Sequence, residues 1–596
     1  MNRRVALTLF PPPVEGGSRR LLTMMRRGWV VASLVAAVAV AACAPAAPSQ
    51  GGPAADASRA ALNQSRVLAV MTHVEPNALS EHVVAETTGS TPSETMKLFN
   101  AGITTRDERG VPRPYIIEAL PELNTDTWRV FEDGRMETTY RLRPNLTWHD
   151  GVPLSAEDVV LGWRVAATPA FGVARGLPQR LIDEVVAVDA QTFLIRWNQP
   201  YPEADAIRAS LGPLPRHILA QPFDQSSSSE AFLNHSYFTR DFVGLGAYRL
   251  TRWEPGAFVE GAAFDGHALG RPKIGRIQVT FVGDPNAAVA NLLAESAHVA
   301  IDFTLGFDQG MILRRQWAPQ NAGTVLLNAE RLRYVQVQHK TEYTDPRALL
   351  DLRVRKGLVH SIDKQALVDG LLAGEGQGAD AMVPPGVEYY ADVDRVITKH
   401  PYDLQRTSQY LAEAGFTRGT DGVFVSAGGE RFSPELRGTA ASLEERENAI
   451  LADGWRRAGI DVRSRLLSEL EDRDPQLRAT YPALGTANSG LSEQTLLVKV
   501  YSGNIATAAN RWQGSNRGGW VNAEYDGLYE AFISTLERGK RNQQMTQAMK
   551  LLSEELPIFP LYFGYFVVAH VAGLHGPMVY APGGWSTWNA AAWEWR

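Results

Sequence analysis

The sequence predicts an α/β fold. Stretches that alternate apolar and polar residues recur between stretches of helical period, from residue 66 to the C-terminus. No internal repeat is visible, which sets solenoids and propellers aside. The one long apolar run lies before residue 43, and no second hydrophobic span follows it.

That first run shapes the N-terminal expectation. Arg26 and Arg27 precede the small, apolar segment from Gly28 to Ala42, which ends at Cys43. Its length, about 15 residues, falls short of the roughly 20 that span a bilayer as a helix. A basic start, a short apolar stretch and a small-residue end make a signal peptide over residues 1–42, with Met24 or Met25 as alternative starts. The segment Val40-Ala41-Ala42-Cys43 resembles the bacterial lipobox, so Cys43 is the expected lipidation site and a lipid anchor the expected contact with the membrane. Residues 43–65, rich in Ala, Pro, Gly and Ser, then read as a flexible tether.

Cys43 is the only cysteine, so neither an intramolecular disulfide nor a cysteine zinc site is available. Removing residues 1–42 leaves 53 basic and 64 acidic residues, a formal charge of −11. This balance argues against nucleic acid as a partner. About 554 residues exceed what one core organises, and two or three lobes are expected.

The elements follow in order. Arg66–Thr72 alternates like a strand until Glu75-Pro76-Asn77 breaks it. Thr91–Ala101 reads as a short helix capped by Thr91, with Glu94 completing a capping box. Arg135–Leu142 alternates again. Ser155–Thr168 reads as a helix in which Ser155 caps and Asp158 sits three residues on. Thr192–Trp197 is strand-like, Ala204–Leu211 helical, and residues 222–240 read as a polar surface loop. Strands are expected at Tyr248–Trp253, Phe258–Gly261 and Ile277–Val282, with an amphipathic helix at Pro285–Ser296. A second large unit opens near Tyr334–Gln338. It carries helices at Ala348–His360, Lys364–Ala373, Asp403–Ala414 and Ser442–Ala458, with a strand at Ile460–Leu467. Residues 482–522 lack a clear period, and a helix at Asn542–Glu555 leads to the aromatic strand Pro557–Val568.

One stretch carries a specific resemblance. Tyr140-Arg141-Leu142 runs through Trp148-His149-Asp150-Gly151-Val152-Pro153 into Ala156-Glu157-Asp158-Val159. It resembles the hallmark of the extracellular solute-binding proteins of the peptide, opine and nickel type, family 5. Further landmarks come in the family's order: Val243–Leu250, Trp253-Glu254-Pro255-Gly256, Asp284–Ala287, Asp351–Lys364, Gly459–Val462 and Leu556–Leu561. The resemblance implies a two-lobed flytrap with an extra subdomain, serving an ABC importer through its membrane permease. The implied division is lobe I at 66–100, 240–330 and 559–596, the extra subdomain at 101–239, and lobe II at 331–558. The lobes would be crossed near Asn328–Tyr334 and Leu556–Tyr562. Most landmark residues have a structural reading: Asp150-Gly151 is a turn, Trp148 packs, and Gly415 and Gly459 close helices.

Catalytic signatures are missing from the sequence: no phosphate loop, no H-E-x-x-H, no G-x-S-x-G. The adjacent His149 and Asp150 read as capping or surface residues. No enzyme activity, metal or other cofactor is expected, and a monomer is. A hydrolase or a chaperone-like envelope protein on the same scaffold is the alternative.

The ligand is the open point. Peptide-binding relatives carry an aspartate in a second-lobe stretch that corresponds to Tyr481–Asn516. Here Glu493 is the only acid in that stretch. Peptides, opines and other polar metabolites all stay open as cargo. Asn488, Arg511, Asn516, Arg517, Trp520 and Asn522 combine amides, cations and an indole suited to a carboxylate-bearing ligand. An alternative for Asn516–Asn522 is a glycine-rich turn entering a helix. In the first lobe His73, Glu75 and Asn100 end elements that face the cleft in relatives, and Glu75 is the candidate partner for a ligand amine.

Overall fold

In the computed structural model, residues 66–80, 93–168, 177–207, 211–226 and 228–596 are described, all within the unit Ala54–Arg596. Cys43, its flanks and the proposed cap Thr91 lie outside them. Ten strands form one mixed sheet. From one edge they run Arg463–Leu467, Glu435–Thr439, Leu484–Gly490, Gly323–Val337, Ile558–Val571, Val299–Leu305, Val67–Thr72, Arg276–Phe281, Phe258–Ala263 and Tyr248–Glu254.

The two central strands are the longest, with 15 and 14 residues. They pair antiparallel from Gly323↔Val571 to Gln336↔Ile558. Their two ends belong to different cores. Phe566–Val571 pack with Leu68, Val299 and Ile301 in the first lobe. Val335, Val337, Phe559, Leu561 and Tyr562 pack with Leu436, Leu484 and Trp455 in the second. The chain therefore crosses between lobes at about Asn328–Leu332 and again at Phe563–Phe566. The ladder between the two strands shifts register at Ala329/Arg331 and Arg333/Tyr334, right at this crossing. Such irregularities bend a strand locally, which suits a hinge.

A second sheet is antiparallel and separate: Trp128–Val130, Met136–Arg141, Thr192–Trp197 and Ile182–Ala187 in spatial order. Helix Ala156–Ala167 covers it and closes a third core around Trp148, Phe193 and Trp197. Asp158 begins this helix as the sequence predicts. Its Oδ2 accepts from the Ser155 N–H at 2.8 Å, and its Oδ1 from the Arg216 N–H at 2.8 Å. The hallmark loop is stapled by His149, which is buried between its Nδ1 contact with the Gly244 N–H at 3.2 Å and its Nε2 contact with Gly246 O at 3.1 Å. Burial pushes its pKa down to about 4. His149 therefore holds two sequence landmarks together, and Asp150 instead meets the His217 Nε2 at 2.7 Å.

Three expectations are corrected. The supposed surface loop 222–240 includes the end of helix Arg216–Gln225 and helix Ser229–Leu233. Its Phe232, Tyr237 and Phe238 enter the first-lobe core, so aromatic anchors override a polar composition. The helix expected at Ala204–Leu211 is, among the described residues, a single tight turn at Ala204–Ala206. The aperiodic stretch 482–522 contains a central strand, Leu484–Gly490.

Candidate functional site

The candidate site lies where the strands cross, walled by strand ends of both lobes: Leu305 pairs with Val567 on one side and Gly490 with Arg331 on the other. On the first-lobe side, helix Ser93–Phe99 is capped from a distance. Asp302 accepts from the Glu94 and Thr95 N–H groups, both at 2.8 Å, and from the Thr95 hydroxyl at 2.6 Å. Asp302 and its neighbour Phe303 sit at φ +49° and +59°, the local distortion that turns this carboxylate onto the helix. Phe303 meets Phe566 at 4.2 Å between centroids, and the Arg331 guanidinium lies 4.5 Å over the Phe303 ring.

A C-terminal segment runs along this wall. The Tyr580 N–H donates to Asn328 Oδ1 at 3.1 Å, and the Ala581 N–H to Glu108 O at 2.8 Å. Glu94 accepts from the Ser586 and Thr587 N–H groups at 3.0 and 3.1 Å, and from the Ser586 and Tyr580 hydroxyls. Glu330, the residue at the register shift of the crossing strand, keeps its buried Oε1 without a hydrogen-bond partner among the described residues. Buried Glu94 and Asp302 and half-buried Glu330 thus put three acids near one hinge. Burial raises Glu94 despite its donors. Burial, then the neighbouring Glu94, pushes Asp302 up to about 7 and Glu330 up to about 8.

The second-lobe wall is built on Leu484–Gly490. This strand pairs with the crossing strand along its whole length, from Leu484↔Val337 to Gly490↔Arg331. On its other side it pairs with Glu435–Thr439 only at Leu436↔Leu484 and Arg437↔Gly485, and the two strands then part. Thr486–Gly490 are left with an edge that no described strand covers, running up to the crossing. Below it, Arg333 is fixed by Glu447 at 2.6 and 2.9 Å, and Glu447 also accepts from Tyr562 Oη at 2.7 Å.

The residues singled out from the sequence divide into groups. Asn488 is exposed on the uncovered edge. Arg517 is half-buried at the far end of the same wall, near Tyr334, Tyr481 and Arg478. Asn516 is committed to its own loop: Nδ2 donates to Tyr501 O and Trp520 O at 3.2 and 2.9 Å, and Oδ1 accepts from the Gly519 N–H at 2.9 Å. Asn522 caps helix Ala523–Ser534 through the Tyr525 N–H at 3.0 Å, and Trp520 packs edge-on against Tyr525 in a core. Arg511 is exposed, at φ +54°.

In the first lobe Glu75 is occupied. Its two oxygens accept from Trp253 Nε1 at 2.6 Å and the Gly256 N–H at 2.9 Å, tying strand end to turn. His73 keeps a buried Nδ1 with no partner, and Asn100 follows the Ser93–Phe99 helix with its N–H on Met96 O at 3.0 Å. The sequence did not single out Asp302 or Glu330 as acids beside the hinge, since that place depends on contacts with residues far apart in the chain.

Two cores joined by two continuous strands define a two-lobed fold. A family model for bacterial extracellular solute-binding proteins, family 5, matches residues 118–507. The chain belongs to this family. It is 23% identical over 473 residues to the oligopeptide-binding protein AppA of Bacillus subtilis, covering 77% of this chain and 80% of that one. NikZ from Campylobacter jejuni, solved in complex with Ni(L-His), superposes with a TM-score of 0.70 at 21% identity, covering 89% of this chain and 99% of its own. The oligopeptide-binding protein from Thermus thermophilus, complexed with a pentapeptide, gives 0.70 and 21%, covering 89% and 96%.

Proposed function

We propose that this protein captures a peptide, or a solute with a peptide-like extended main chain, between its lobes and delivers it to the membrane permease of an ABC importer. The observation that carries this reading is the uncovered edge of Thr486–Gly490, which ends at the crossing. An exposed edge beside a cleft offers N–H and C=O groups in a row, and an extended main chain satisfies them by adding as a strand. Closure about the crossing strands then removes the ligand from water, and the ligand favours the closed state by binding it better. The names of AppA and of the Thermus protein point to peptides; the Ni(L-His) in NikZ marks how far cargo diverges on one fold.

Export by residues 1–42, lipid anchoring through Cys43 and action as a monomer complete the proposal. Metabolic labelling with a palmitate analogue, lost in Cys43→Ser, tests the anchor. The main-chain reading is tested by amide hydrogen exchange with mixed tri- to pentapeptides. Thr486–Gly490 should gain protection, and backbone N-methylation of the peptides should weaken binding at least about ten-fold, the loss of paired main-chain groups. Unchanged exchange in Thr486–Gly490 on saturation would remove the edge from the site.

An ammonium anchor in the second lobe is not part of the proposal. Glu493, the only acid of the stretch 481–516, is already held by Arg538 at 3.0 Å through both guanidinium nitrogens.

A further inference from the structure

The crossing strands are not the only place where the second lobe meets the rest of the chain. Leu177 packs against both the third core, around Trp148 and Trp197, and the second-lobe core around Trp520 and Tyr525. Leu536, which joins helices Ala523–Ser534 and Arg538–Glu555 of the second lobe, also packs against the third core. Beside them Gln494 Nε2 donates to the Tyr201 hydroxyl at 3.3 Å, and both residues are buried. Each partner is fixed to its own side. The Tyr201 ring stacks with Trp197 at 5.2 Å between centroids. Gln494 lies on helix Glu493–Leu497, whose start Ser492 caps by accepting from the Thr495 N–H at 3.3 Å.

Charge complements the same contact. Glu203 and Asp205, on the tight turn after Tyr201, lie close enough to Arg541 on helix Arg538–Glu555 to act on its charge. Arg538 and Glu493 act on it from its own lobe, and Arg106 acts on Asp205 from the subdomain side. Arg541 Nε is buried with no hydrogen-bond partner, and no ion pair joins Arg541 to either acid among the described residues. Two leucines, one long hydrogen bond and an unpaired attraction make a small contact with a polar centre. Contacts of this kind within a chain part readily, whereas large apolar ones stay shut. The register shifts of the crossing strands give the chain a place to bend as they part.

We propose that this contact is a closure latch between the extra subdomain and the second lobe. It draws the two together through groups of the chain alone, and so sets how much of the protein is closed before any solute binds. A cargo that binds the closed form gains affinity in proportion to that fraction, whatever its chemistry. The latch rests on the two-lobed fold and not on the identity of the cargo.

The test is a distance measurement on the full chain without added ligand. Val188 and Val521 lie one on each side of the latch, 61% and 66% exposed. Spin labels on Val188→Cys and Val521→Cys, with the single native cysteine removed by Cys43→Ser, report their separation by pulsed electron paramagnetic resonance. At about 50 mM salt, where charges are weakly screened, we expect mainly the short distance. Gln494→Ala should raise the ratio of long to short distances about five-fold, what one net hydrogen bond contributes. Tyr201→Phe, which keeps the ring on Trp197, should raise it likewise and serves where Gln494→Ala folds poorly. Salt at about 0.5 M should raise the ratio further by screening, and Asp205→Asn should blunt that response. Unchanged distances in both Gln494→Ala and Tyr201→Phe overturn the latch; a fixed seam would show instead as a lower unfolding temperature alone. A labelled parent mainly at the long distance overturns it as well. A ratio that ignores salt overturns the part given to Arg541, Glu203 and Asp205.

Discussion

Arg333 and Glu447 form a bidentate pair beneath the crossing, at 2.6 and 2.9 Å, with both side chains buried. Arg333 lies on one crossing strand, Tyr562 on the other and Glu447 on helix Ser442–Arg457. Burial works against the arginine's charge, yet the Glu447 carboxylate overrides it and raises its pKa. The pair thus ties both hinge strands to one helix of the second lobe. Replacing Glu447 by Ala leaves a buried, uncompensated guanidinium and should cost about 3–5 kcal/mol. Urea unfolding of the two proteins measures it, and a loss below about 1 kcal/mol would show that the pair is solvated in solution.

The acids beside the hinge predict a pH dependence of opposite sign to that of an ordinary salt-bridged carboxylate. Asp302 and Glu330 are raised to about 7 and about 8 by burial and by Glu94. The folded state keeps protons that the unfolded chain has released, so stability is fully present below about pH 4 and falls as pH rises toward 8. Glu330→Gln should therefore leave the unfolding temperature at pH 4 near the wild type and raise it at pH 8. A wild-type profile that climbs between pH 5 and 8, unchanged in the variant, would contradict this account.

Gly518 tests the packing under the arginine loop. An added methyl meets Val337 O at 2.4 Å, a backbone atom that cannot swing aside. Gly518→Ala should destabilise by about 1–3 kcal/mol, the usual cost of overpacking. Calorimetric unfolding of the variant measures it, and an unchanged stability would show that the loop gives way.

Asp158 offers a test inside the extra subdomain. Its carboxylate joins the helix start at Ser155 to the Arg216 N–H of the first lobe's flank. Asp158→Ala leaves buried donors unpaired and should cost about 2–3 kcal/mol, with hydrogen exchange rising first across residues 156–167.

This last residue shows what was legible beforehand. Ser155 and Asp158 at spacing three before an apolar run state a helix start in local terms alone, and the helix begins there. Gly415 and Gly459, at φ +91° and +92°, end their helices for the same local reason. Leu484–Gly490 shows the opposite. Two glycines, alanine, asparagine and serine carry no strand signal, and the segment is a strand because Arg331–Val337 hold it in register. The site followed that divide. Arg517 was visible as a cation among glycines, but Asn516, Trp520 and Asn522 proved to be loop, core and cap residues.

The sequence by itself determined the interleaved α/β architecture, the helix ends and the family. These rest on periodicity, caps and turn residues, which act over a few positions along the chain. Only the tertiary structure decided where the lobes cross, which strand edge stays uncovered and that Glu75 is spent on a turn. Those depend on which distant groups meet and on the burial that follows, and no local pattern encodes either.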